Sequence, residues 1–195
     1  MSTLEQLWDH IDKALETQAP NEILEVFYQA MNQGDTEESN QQEFYYAAGY
    51  VAYMYPEGKL NARVRKLAAR AFLLSLFHCP SFLPSVLYLS FIKMDEMEFL
   101  DALALLYSCD KKVGTFDEQL IDRYVEATVC CLIECNFWNE ALRQLNWFDL
   151  RMTEDAQVGI DLINFMKIIE KVDPVTELEK NVVKKIEVIL RGQQA

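Results

Sequence analysis

Leu4-Glu5-Gln6-Leu7-Trp8-Asp9-His10-Ile11-Asp12-Lys13-Ala14-Leu15 is the stretch that decides the fold class. Its apolar residues recur every three or four positions, the period of a helix with one buried face. Ser2 and Glu5 precede the run as S-x-x-E, a capping-box pattern. The same signals repeat outward along the chain. Pro20 opens a second helix with Ile23, Leu24, Phe27, Ala30 and Met31 on its apolar side, and the polar run Gln33 to Asn40 is expected to end it. Ser39 and Gln42 suggest the next cap. A third helix is expected near Gln41 to Tyr55, stopping at Pro56-Glu57-Gly58, and a fourth over Asn61 to Phe77. A shorter fifth falls within Pro80 to Lys93, and Asp95 with Glu98 is expected to cap a sixth. Asp110 to Gly114 reads as a turn, Thr115 and Glu118 as another capping box, and Asn136 as a break. Thr153 is a candidate start for a ninth helix. Asp173 at N-cap with Pro174 at N1 predicts the start of the tenth. No hairpin dipeptide or strict alternation marks a strand. The reading is all-α: about ten helices in antiparallel pairs, an irregular, helical-repeat-like α-solenoid. Without a long linker, a single domain over residues 1–195 is expected.

The composition agrees with a packed globule. Of 195 residues, 51% are hydrophobic and 25% charged, which excludes disorder over most of the chain. The net charge of −13 has the wrong sign for neutralising phosphates or for holding to anionic lipid. No basic region followed by an apolar stretch opens the chain, so no secretory signal is read. Five cysteines, Cys79, Cys109, Cys130, Cys131 and Cys135, are an odd number. They argue against a disulfide framework and for reduced thiols in the cytoplasm. Ala71 to Ile92 contains no Asp, Glu, Lys or Arg and has the length of a membrane span. Pro80 and Pro84 interrupt it, so two buried helices joined by a turn are expected instead.

Asn136-Phe137-Trp138-Asn139-Glu140-Ala141-Leu142 resembles the turn of a tetratricopeptide repeat. In that family a small residue and an aromatic precede Glu-Ala-Leu, the Ala packing on the first helix and the aromatic sealing the turn. Asn136 stands where the family usually has Gly, and the resemblance covers about one repeat, around residues 120–150. It implies paired helices stacked in order.

Few residues suggest chemistry, and no catalytic residue is assigned. His10 neighbours Asp9 in sequence, so on a helix the two side chains diverge. His78 lies in the apolar turn before Cys79 and Pro80 and reads as a satisfied, partly buried histidine. Cys131 and Cys135 can share a helix face with Cys130 beside them. No CxxC or nearby histidine completes a zinc set, so buried packing thiols are expected, with redox sensitivity as the alternative. No phosphate-cradling glycine loop and no GxSxG elbow is present. The expectation is a protein without enzymatic activity, metal or cofactor.

The charge is polarised. Residues 1–55 carry ten acids against Lys13 alone, and residues 56–93 carry one acid against six bases. Residues 94–149 carry twelve acids against four bases, and the remainder is nearly balanced. The basic cluster Lys59, Arg63, Arg65, Lys66 and Arg70 reads as a solvated face offsetting neighbouring acids. Residues 43–55 hold five of the nine tyrosines, with Tyr46, Tyr50 and Tyr53 on one face. They suit a core or an interface, since each joins apolar area to a hydroxyl. Gly49 leaves room for a neighbouring helix. Glu37, Glu38, Glu43, Tyr46, Tyr50, Tyr53, Glu96 and Asp101 are the candidate partner-binding residues.

In its general look the chain is similar to bacterial immunity proteins: small, acidic and without catalytic motifs. That resemblance implies a protein that neutralises a toxin by covering its basic active-site surface with an acidic and aromatic face. A tetratricopeptide-like adaptor or secretion chaperone, holding a client segment in a groove, is the alternative. A nucleic-acid mimic fits less well because of the basic cluster. The partner is expected to be a basic protein, with neither nucleic acid nor membrane, and the oligomeric state is left open.

Overall fold

The computed structural model describes residues 3–36, 39–56, 61–109, 118–154 and 163–192. These form ten α-helices and no strand. The order is α1 (Thr3–Thr17), α2 (Pro20–Thr36), α3 (Gln41–Met54), α4 (Ala62–His78), α5 (Leu83–Asp95), α6 (Phe99–Tyr107), α7 (Glu118–Glu134), α8 (Trp138–Glu154), α9 (Ile163–Lys171) and α10 (Glu177–Gly192). The contacts cluster into two compact units, Met1–Glu96 and Met97–Ala195.

In the first unit each helix packs on the next in chain order, and α1 and α5 also touch α3. The central α3 is therefore covered on most sides, which explains why eight of its fourteen residues are buried. Two glycines set its spacing. A Cβ on Gly49 would lie 2.5 Å from the Phe72 ring of α4, and one on Gly34 would lie 2.9 Å from the Tyr45 ring. A hydroxyl chain links three helices: Ser85 donates to Ser75 (2.7 Å), and Ser75 donates to the Gln42 carbonyl (2.7 Å).

The second unit follows a different plan. α6 packs on α7 and α7 on α8, but α10 returns to α8 while α9 lies on α7 and α10. Phe148 and Phe165, both fully buried, meet edge to face at 6.5 Å.

The helix ends have local causes. Tyr55 precedes Pro56 and Cys79 precedes Pro80, and both sit in extended conformations where α3 and α4 stop. Asn61 caps α4, its side chain accepting from the Arg63 N–H at 3.0 Å. Asn136 ends α7 in the left-handed region (φ 61). Its N–H reaches the Ile133 carbonyl (2.9 Å) and the Phe137 N–H reaches the Leu132 carbonyl (2.7 Å), a Schellman closure. Asn tolerates this conformation better than most residues, so it can replace the expected Gly. Ala141 of α8 is fully buried, whereas Phe137 in the turn is 45% exposed.

Several expected boundaries shift. That of α2 does not: it ends at Thr36, inside the polar run expected to end it, with Gly34 of its last turn lying against Tyr45. The start of α3 has Asn40 at N-cap in the left-handed region rather than a Ser39 cap. Asp95 does not begin α6; it is the last residue of α5 and accepts from Tyr53 OH at 3.2 Å. Thr153 lies inside α8. The tenth helix starts after Asp173 and Pro174, where Thr176 and Glu179 form the capping box. The Glu179 N–H donates to Thr176 Oγ1, and Glu179 Oε2 accepts from the Val175 and Thr176 N–H groups. That geometry holds the Glu179 carboxyl below its ordinary pKa, chiefly through the backbone donors. Ser2, the 110–114 turn and Thr115 lie outside the described residues. Leu73 and Phe77 are exposed, so the part of the apolar run on α4 is not wholly buried, whereas eight residues of α5 are. Among the described residues no helix is long and apolar enough to cross a membrane.

Candidate partner-binding surface

α3 presents its tyrosines inward more than outward. Tyr46 lies within 6.1 Å, ring centre to ring centre, of Trp8, Tyr50, Phe72, Phe82 and Tyr88. Tyr50 meets Trp8 at 5.5 Å and Tyr88 at 5.4 Å, both edge to face. Tyr46 and Tyr50 are half-buried at the margin of this cluster. Tyr53 is only 4% exposed. Its hydroxyl is bound to Asp95, and burial with that carboxylate pushes its pKa well above the usual phenol value. Tyr53 is thus a core residue with almost no surface to give a partner, and Tyr46 and Tyr50 offer their edges only.

The acidic candidates are dispersed. Glu43 is half-buried in the first turn of α3. Glu96 is exposed and pairs with Lys93 at 3.7 Å. Asp101 is exposed in the first turn of α6, in the second unit. Glu37 and Glu38 lie outside the described residues.

A denser acidic surface emerges from the α1–α2 pair, which sequence reasoning did not single out. Glu5, Asp9, Asp12, Glu16, Glu22, Glu25 and Asp35 are all exposed there, against Lys13 alone. The signal was available: half of the residues between the apolar positions of α1 are acids, and a helix with one buried face must expose them. On α2, Leu24 (42% exposed) and Tyr28 (56% exposed) add apolar area one turn apart. Beside them an apolar cleft of about 150 Å³ is lined by residues of α2, α3 and α4, among them Ile23, Phe27, Tyr55 and Leu67.

The basic cluster divides. Arg63, Lys66 and Arg70 are exposed on α4, whereas Arg65 is half-buried and acts electrostatically on Tyr53. Lys59 is outside the described residues.

Both histidines are exposed; Cys109, Cys130 and Cys131 are buried, whereas Cys79 and Cys135, the latter expected to be buried, are half-buried. His10 faces Gln29 across 3.4 Å. His78, expected to be partly buried, is exposed at the end of α4; the Tyr45 ring stacks on it at 5.3 Å. The Tyr45 hydroxyl donates to Asp35 (2.7 Å), and its pKa rises to about 12, first through burial and then through that bond. Burial pushes the Cys130 thiol up and carries Cys131 to about 12. Burial thus disfavours the thiolate, the nucleophilic form, at both positions. Among the described residues no group of three His, Cys, Asp or Glu is placed to hold a metal ion.

One buried carboxylate went unnoticed in the sequence. Glu126 of α7 is 3% exposed. Its Oε1 accepts from the N–H groups of Asn164 (2.8 Å) and Phe165 (3.2 Å), and its Oε2 accepts from the Asn164 side chain (3.3 Å). It caps α9 from another helix. Burial raises its pKa, and the three donors oppose that rise. Nothing in the local sequence marks it, because its partners are 38 and 39 residues away.

No family model matches the chain, and no curated protein or solved structure matches it either.

Proposed function

We propose that this chain is a non-enzymatic protein-binding protein, of the immunity type, that neutralises a toxin by laying an acidic face over the toxin's basic active-site surface. The observation that carries the reading is the α1–α2 surface, where seven exposed acids face solvent with one base among them. Such a field speeds the encounter with a basic partner and disfavours acidic ones. The exposed Leu24 and Tyr28 supply the apolar and aromatic contact area that charge alone lacks. Tyr46 and Tyr50 contribute at most their edges, so the aromatic part of the face is assigned to α2 rather than α3.

A pull-down from native cells at about 50 mM salt and again at higher salt tests this, since charge contacts weaken as the Debye length shrinks. The expected result is one stoichiometric basic protein, toxic when expressed alone and harmless with this chain. Reversing Asp9, Asp12, Glu22 and Glu25 to Lys should slow association more than reversing Glu96 and Asp101. Unchanged association after the first set overturns the electrostatic reading.

The adaptor reading has its own support in the apolar cleft and in the repeat-like turn with Asn136 and Ala141. Binding of several unrelated client peptides, insensitive to the α1–α2 reversals, favours it.

A further inference from the structure

The outer line of α4 is Arg63, Lys66, Arg70, Leu73 and Phe77, all exposed. Their spacing of three, four, three and four residues is that of a coiled-coil seam, and it draws one straight stripe along the helix. The stripe runs over fifteen residues, about 21 Å at 1.5 Å per step. It is basic over its first half and apolar over its second, with Leu73 56% and Phe77 79% exposed. Arg63, Lys66 and Arg70 form no ion pair with any described residue. A basic and apolar seam in a chain of net charge −13 is out of keeping with the rest of its surface.

The same unit carries the complementary surface. On α1 the exposed acids Asp9, Asp12 and Glu16 follow a spacing of three and four, a second stripe of about 10 Å. Leu24 and Tyr28 on the adjoining α2 are exposed apolar residues that match Leu73 and Phe77 in kind. The two stripes stand on different helices, and among the described residues no ion pair joins one to the other. Between two molecules they are opposite in sign, the basic half of the α4 stripe is about as long as the acidic stripe, roughly 10 Å, and each has exposed apolar residues on its own or the adjoining helix.

We propose that the α4 stripe docks on the α1–α2 face of a second copy of this chain, giving a salt-sensitive self-association. It needs nothing from the inhibitor reading. The contact is small, one helix against two, so association is weak and reversible. Where the same acidic face also receives a basic partner, that partner and the second copy compete for it.

Sedimentation of the full chain at about 50 mM and about 500 mM salt tests the proposal. Expected is concentration-dependent growth in mass at low salt, reduced at high salt. The triple variant Arg63→Glu, Lys66→Glu, Arg70→Glu should be monomeric, and so should Asp9→Lys, Asp12→Lys, Glu16→Lys. Mixing the two should restore association, because each face again meets the opposite sign. Phe77→Ser should weaken association without changing net charge. Reversing Lys167, Lys171 and Lys184 on the second unit, the same charge change elsewhere, should leave it intact. A monomer at every salt and concentration overturns the proposal. So does an equal loss in the control reversal, or a failure of the mixed variants to associate. All the replaced side chains are exposed, and circular dichroism verifies that the variants keep their helices.

Discussion

The two compact units carry almost the same charge imbalance and use it differently. Residues 1–96 hold thirteen acids and seven bases, and residues 97–195 hold eighteen acids and eleven bases. In the first unit the exposed acids of α1 and bases of α4 run along helix faces, and the interior is knitted by aromatic rings and small residues. Tyr46 alone touches five other rings. In the second unit a carboxylate goes inside, where Glu126 fastens α9 to α7. Charge kept at the surface is available for recognition and costs little stability. Charge taken inside must find donors, and once it has them it fixes where a helix lies. The comparison teaches that net charge says nothing of which role an acid plays; burial and partners decide.

Substitutions can break the comparison unit by unit. Trp8 belongs to the first unit and Trp138 and Trp147 to the second, so tryptophan fluorescence in variants keeping one set reports each separately. The largest effect is expected from Phe72→Ala, which removes a fully buried ring from the aromatic interior. It should cost the first unit about 3–5 kcal/mol in denaturant unfolding followed at Trp8. If the loss is below about 1 kcal/mol, the aromatic cluster is not what holds that unit. Gly49→Ala comes next. The added methyl meets Phe72 at 2.5 Å, and overpacking should cost about 1–3 kcal/mol in the same measurement.

In the second unit, Glu126→Ala leaves two backbone donors at the start of α9 without their acceptor. A loss of about 1–3 kcal/mol is expected, read at Trp147. Glu126→Gln keeps an oxygen for both N–H groups and removes the buried charge. Its pH dependence sharpens the comparison. The Glu126 pKa is raised in the folded protein, so the native state holds that proton more tightly than the unfolded chain. Wild type and the Gln variant should differ least in relative stability at acid pH. The wild type should then lose ground to the Gln variant as pH rises through the carboxylate range towards neutrality. A difference that stays flat with pH refutes the assignment. The smallest effect is expected at Asn136. Asn136→Ala should destabilise the second unit by about 1 kcal/mol, because Ala tolerates the left-handed conformation poorly, whereas Asn136→Gly should be neutral or stabilising. Thermal unfolding of the pair checks the sign.

The sequence by itself determined what depends on neighbours along the chain. Leu7, Ile11 and Ala14 repeat with the helical period and are buried. Pro56 and Pro80 end helices because the residue before proline is pushed out of the helical region. Asn136 closes α7 through a bond pattern confined to six residues. The acidic face of α1 was equally legible, since the buried stripe leaves those positions no other side. Tertiary structure alone decided the rest. Whether Tyr53 served an interface or the core depended on Asp95, 42 residues away. Asp95 looked like a helix start from its neighbours, and Asp173 and Pro174 met the local rule for a cap three residues too early. Glu126 was one acid among 31 until the fold brought the start of α9 against it. Local rules rank conformations by nearest-neighbour energies of about a kilocalorie. Burial against a distant element is worth several times that, and it is set by a contact that no window of sequence contains.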